Sequence, residues 1–142
     1  MKTWVGLALC LSTAAVAAET PPAPPPASLA KTYVSPGGVT LHPLTEPKAF
    51  GGAEVEMGEL TFPPNSDSGE HVHGVTETFY VLEGEFEHVV DGKSTILRPG
   101  MVGSVRPPAK VRHKTGAMGA KVLVIWAPGG EMARLAARWR AQ

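Results

Sequence analysis

Cysteine is almost missing from this chain. The 142 residues contain one, Cys10, so no disulfide framework can be invoked to hold a fold together. Aromatic residues make up only 6%, and charge of either sign is unremarkable, with 13 Lys and Arg against 13 Asp and Glu. No basic block occurs, which argues against nucleic acid as a partner. A P-loop, an internal repeat and a dinucleotide-type glycine pattern are all absent, so the common sequence bases of nucleotide chemistry are lacking. Long hydrophobic runs are also scarce. The stretch from Trp4 to Ala18 is about 15 residues, short of the roughly 20 that a spanning helix needs.

That stretch follows Lys2 and ends in Val16, Ala17 and Ala18 before Glu19, the pattern of a secretory signal peptide over residues 1–18. Leu9 directly before Cys10 fits lipoprotein processing poorly. Cleavage after Ala18 removes Cys10 and Lys2, leaving acidic residues one ahead of basic ones. The expected location is periplasmic or secreted, with no membrane contact beyond export. Residues 19–32 include Thr20 to Ala30, TPPAPPPASLA, whose proline density favours an extended flexible linker over a packed element. About 110 residues remain, enough for one domain with one core.

Glycine and proline are plentiful, 16 and 14, and they punctuate short β-branched and aromatic runs. Expected strands are Val39–Leu44, Ala53–Phe62, Thr76–Leu82, Glu85–Val90, Ser94–Leu97, Met101–Val105, Val111–Thr115 and Ala120–Trp126, separated by turns at Glu83-Gly84, Asp91-Gly92, Pro99-Gly100, Pro107-Pro108 and Gly116-Ala117. Asp-Gly between alternating runs is a strong hairpin signal, because both residues tolerate positive φ. Many short strands with little helix predict an all-β sandwich or closed barrel over residues 33–128. Residues 129–142 read as a short C-terminal helix, with Met132, Leu135, Ala136 and Trp139 at helical spacing for packing on the barrel or on a second copy.

Nothing in folding such a domain requires the group His71, His73 and Glu77, within GEHVHGVTETFYVLEG. Along a strand, residues i and i+2 share a face about 6.6 Å apart, so His71 and His73 can aim at one point. If the chain stayed extended, Glu77 would lie roughly 20 Å from His71, whereas side chains hold a metal at about 2 Å. The chain must therefore reverse, and Gly74 can do so at low steric cost. After it, Glu77, Phe79 and Val81 share one face, and Tyr80 points away from it. A carboxylate placed in an apolar interior costs free energy unless a cation compensates it. His113 shares its inward face with Val111 and Thr115, while Arg112 and Lys114 point outward. His88 is in phase with Phe86 and Val90, as a buried histidine or as an acid–base or substrate-contacting group.

The spacing HxH, three residues, Glu, six residues, Gly (His71, His73, Glu77, Gly84) resembles the first motif of the cupin superfamily, and RPPAKVRH ending at His113 is similar to the second, with Pro108 matching. Lys110 replaces a glycine of that second motif, Asn65 stands where the first opens with Gly, and Ala117 where the second closes with Asn. No ligand position is lost. The resemblance spans Gly38 to Pro128. It implies a double-stranded β-helix, or jelly-roll barrel, with His71, His73, Glu77 and His113 as metal ligands in its mouth, and it makes a homodimer the expected assembly.

Three imidazoles and a carboxylate suit a divalent transition metal, Fe, Mn, Ni, Co or Zn, and disfavour soft Cu(I). Open coordination positions would admit an oxygen-bearing small molecule. Glu77 and His88 are the candidate catalytic groups, Glu77 as a carboxylate able to act as base. The expected lining of Phe79, Val81, Met101, Val105 and Val111 is apolar, which favours dioxygenase-like or lyase-like chemistry over sugar isomerisation. The alternative is a non-catalytic cupin that binds a metal or small ligand.

Overall fold

Long alternating runs dominate the architecture. The computed structural model describes residues 31–45 and 53–142. The expected leader and nearly all of the expected linker lie outside the described residues. Among the described residues, β1 is Tyr33–Val34, β2 Thr40–Pro43, β3 Glu56–Phe62, β4 Thr76–Val90, β5 Lys93–Leu97, β6 Val102–Val105, β7 Val111–Ala127, α1 Glu131–Ala136 and β8 Arg140–Ala141. All strand pairs are antiparallel, joined in the order β5-β4-β7-β3-β2-β1-β8 with β6 against β4. This is the expected all-β jelly-roll barrel with a short C-terminal helix. No helix among the described residues is long and apolar enough to cross a membrane.

The frame is the pair β4 and β7, in register from Thr76↔Ala127 to Val90↔Val111. Each was expected as two strands. The glycines that suggested turns instead serve continuous strands: Gly84 has φ +76°, and β4 shifts register there by a bulge. A Cβ on Gly84 would come within 2.1 Å of the Gly119 carbonyl oxygen, so the close crossing admits no side chain. Asp91 and Gly92, by contrast, take the positive φ of the expected hairpin turn.

Alternation builds the core. Leu41, Phe79, Val81, Val122, Val124 and Trp126 are almost solvent-free, while Tyr80 is exposed as its phase demands. Met101 departs from expectation: it precedes β6 in the Pro99–Gly100 turn region and is exposed, so it does not line the interior. The tail also differs. Its helix stops at Ala136, and Arg140–Ala141 then pairs with β1. Met132 is fully buried, with Leu135 and Trp139 packed against the core, so the apolar stripe is spent on the barrel.

Candidate functional site

Backbone register gathers the site residues. His71 exchanges both backbone hydrogen bonds with Val111, at 2.9 and 2.8 Å, which fixes it beside the strand that carries His113. Ser68 grips His113 itself: its N–H donates to the His113 carbonyl and its hydroxyl accepts the His113 N–H, both at 2.9 Å. Glu77 lies across from Trp126 on β7 and Val105 on β6. The chain bends at Gly74 and Val75, but Gly74 takes no left-handed conformation. Gly69, with φ +66°, does so just ahead of His71. Asn65, where a glycine was expected, has φ +54°, a conformation that asparagine tolerates better than most residues.

The four side chains named from sequence converge. His71 Nε2 is 3.2 Å from His73 Nε2, His73 Nε2 is 3.1 Å from Glu77 Oε2, and His113 Nε2 is 3.7 Å from the same oxygen. Donors about 2.1 Å from a common ion stand about 3.0 to 3.6 Å apart at angles of 90–120°, so these separations approach those of neighbouring ligands. They are pairwise relations, and no group of three or more His, Cys, Asp or Glu side chains among the described residues stands as a finished cage.

The electrostatics are more pointed. Glu77 is buried, and its Oε1 accepts the Trp126 indole N–H at 3.1 Å. Its Oε2 has the His73 ring beside it at 3.1 Å but no well-formed hydrogen bond, and the buried Nε2 of His113 has none either. These two atoms, 3.7 Å apart, carry a desolvation cost that a cation bound between them would relieve. Burial opposes the charge on Glu77, but His73, His113 and the Trp126 donor hold its pKa below the usual carboxylate value. Burial pushes His113 down to about 4, so its ring is neutral and keeps a lone pair. For His73, burial favours the neutral ring, yet the carboxylates of Glu131 and Glu77 prevail and raise it to about 9.

Three contacts escaped the sequence reading. Trp126 was expected only as the end of a strand, and nothing indicated that its N–H would fix Glu77. Glu131, in the first turn of α1, places Oε1 3.0 Å from His73 Nδ1 and is itself held by Arg134 Nε at 3.0 Å. Glu56 anchors that helix by accepting the Met132 N–H at 2.9 Å. His88 is buried as its phase implied and stacks on His113 with ring centroids 5.3 Å apart. Its Nε2 faces the Ser104 carbonyl at 3.3 Å, and it is not among the residues lining the cavity.

That cavity has a volume of about 470 Å³, the scale of a small-molecule site. His71, His73, Glu77 and His113 lie on it, Leu60, Phe62, Leu135 and Trp139 give it apolar wall, and Arg134 and Arg138 bring guanidinium groups. Of the interior residues expected to line it, Phe79, Val81, Val105 and Val111 are buried in the barrel but do not reach its surface.

Residues 58–127 match the family described as Cupin domain. A comparison with curated protein sequences finds no match. Among solved structures, an RmlC-like cupin from Shewanella frigidimarina is similar, with 22% identity, TM-score 0.61, and coverage of 72% of this chain and 88% of that one. A predicted oxalate decarboxylase from Thermotoga maritima has 22% identity and TM-score 0.60, covering 69% and 91%. KdgF from a Halomonas species has 17% identity and TM-score 0.59, covering 70% and 86%. Likeness at these identities establishes a shared fold.

Proposed function

We propose, from the chain's membership of the cupins as a small single-domain member, that it is an exported protein binding one divalent transition metal at His71, His73, Glu77 and His113 and acting there on an oxygen-bearing small molecule. The observation that carries this reading is the convergence of the three imidazole Nε2 atoms and Glu77 Oε2, with Glu77 Oε2 and His113 Nε2 both buried and lacking a well-formed hydrogen bond. The donor set of imidazole and carboxylate fits Fe, Mn, Ni, Co or Zn. The N-terminal sequence supports export.

A bound ion would supply Lewis acidity, or redox chemistry if it is iron or manganese. The protein's own part is specific. Trp126 ties down Glu77 Oε1, so Oε2 is the oxygen left to ligate or to accept a proton. His113 is kept neutral by burial, as a ligand must be. Leu60, Phe62, Leu135 and Trp139 would exclude water around the ligand's apolar body. Arg134 and Arg138, on the cavity wall, would favour an anionic ligand. A dioxygenase-like or lyase-like reaction fits this lining, and a similar structure bearing the name of a predicted oxalate decarboxylase accords with a small oxygen-donor ligand.

Two observations favour the alternative, a cupin that binds a metal or small ligand without turnover. His88, the expected proton carrier, lies behind His113 and off the cavity surface, and Asp67 at the rim is engaged by Arg112. Elemental analysis of protein from its native compartment should find a single transition-metal ion per chain, and oxygen uptake or cleavage should appear with some member of a panel of diketones, phenols and thiols. Loss of that turnover in Glu77→Ala supports the enzyme, metal loading without turnover selects the binder, and absence of any bound metal overturns both.

A further inference from the structure

We infer that Glu131 is a positioning residue for His73, so that the C-terminal tail is a working part of the metal site and not merely a cover for the barrel; this rests on the metal-binding reading above. Glu131 belongs to α1, 58 residues from His73, outside both motifs and outside the matched cupin region. It is 1% exposed, a burial that acidic residues rarely reach unless paired. Its Oε1 accepts from His73 Nδ1 at 3.0 Å. That bond reserves the proton for Nδ1 and leaves Nε2 directed at His71 Nε2 and Glu77 Oε2.

Two further restraints make Glu131 a fixed reference. Arg134, one turn on, binds both of its carboxylate oxygens through Nε and Nη2. Glu56, buried on β3, accepts the N–H of the next residue, Met132, at 2.9 Å, and Met132 plugs the core. The residue that follows Glu131 is thus locked to the barrel, and Arg134 holds the Glu131 carboxylate from within the helix. A carboxylate that orients a ligating imidazole through its second nitrogen sharpens ring placement and strengthens the donor. Glu131 is not on the cavity surface; it reaches the ligand cluster through His73, and on its other side it holds Arg134, which lines the cavity.

The test uses the processed protein and Co(II), whose visible spectrum reports its ligands, with affinity measured by chelator competition. Glu131→Ala should weaken Co(II) binding about 10–100-fold and alter the spectrum, and Glu131→Gln, which can still accept from Nδ1, should recover part of the loss. Leu97→Ala, in the core on β5 and off the cavity, should lower the melting temperature while leaving Co(II) affinity unchanged. Equal affinity in wild type and Glu131→Ala overturns the inference, as does an equal affinity loss in Leu97→Ala. If wild type binds no Co(II) or other transition metal, the metal reading fails separately. The positioning role is then read from the orientation of the His73 ring in crystal structures of the variants, which should change in Glu131→Ala and be kept in Glu131→Gln. An unchanged ring overturns it.

Discussion

His71 and His73, two residues apart, are held by different kinds of structure. His71 Nδ1 rests 3.0 Å from the carbonyl of Gly69, a local and solvent-facing contact. His73 Nδ1 meets a buried carboxylate from the other end of the domain. A backbone carbonyl can orient a ring but brings no charge. Glu131 brings a full charge, itself paired with Arg134, and makes the state of His73 depend on the packing of the tail. The same HxH spacing therefore contains one candidate ligand whose ring is oriented by its own loop and one whose ring is oriented by the far end of the domain.

The largest effect should come from removing the carboxylate that lies beside His73 and His113. Glu77→Ala is expected to weaken divalent-metal affinity by more than about a hundredfold, beyond the range of an outer partner, measured by isothermal titration. The next test separates the rings by stability of the metal-free protein. His73→Ala strips a charged hydrogen bond from a buried carboxylate and should cost about 1.5–3 kcal/mol. His71→Ala, losing a part-exposed contact, should cost less than about 1 kcal/mol, with both read from denaturant titrations.

The contrast also predicts a pH signature. His73 is raised from 6.5 to about 9, so its stabilisation is complete below pH 6.5 and is lost as pH rises through 9. Glu131 is a case of burial raising the pKa and the bonds to His73 and Arg134 more than reversing it, down to about 2 from 4.5. Its contribution is complete above pH 4.5 and is lost as pH falls towards 2. The melting temperature of the metal-free protein should therefore be highest between about 4.5 and 6.5. His71→Ala should keep the decline above pH 6.5, and His73→Ala should flatten it. The smallest change is expected from the outward pair Lys121–Glu59, 2.7 Å apart on the barrel exterior. Glu59→Gln should cost under about 1 kcal/mol and leave metal affinity as it was.

Much of the barrel and all four candidate ligands were legible because period-2 alternation decides which face a residue occupies. It placed His113 inward between Arg112 and Lys114, and sent Tyr80 outward. It could not measure depth along that face, which is why His88 was correctly judged interior yet sits behind His113. Glycine was ambiguous as well: the chemistry that permits a turn also permits the tight crossing of Gly84 over Gly119, so two long strands were read as four. Glu131 was the least readable. An acidic residue opening a helix is ordinary dipole chemistry, and nothing near it in sequence announces a histidine 58 positions earlier.

The pairing of β1 with β8 brings Gln142 N–H to the Thr32 carbonyl at 2.8 Å. A short peptide bridge between those two points would span almost no distance, and the Asp91–Gly92 hairpin offers an exposed place to open the loop that results. A circular permutant built this way should keep the same barrel, with β8 leading directly into β1.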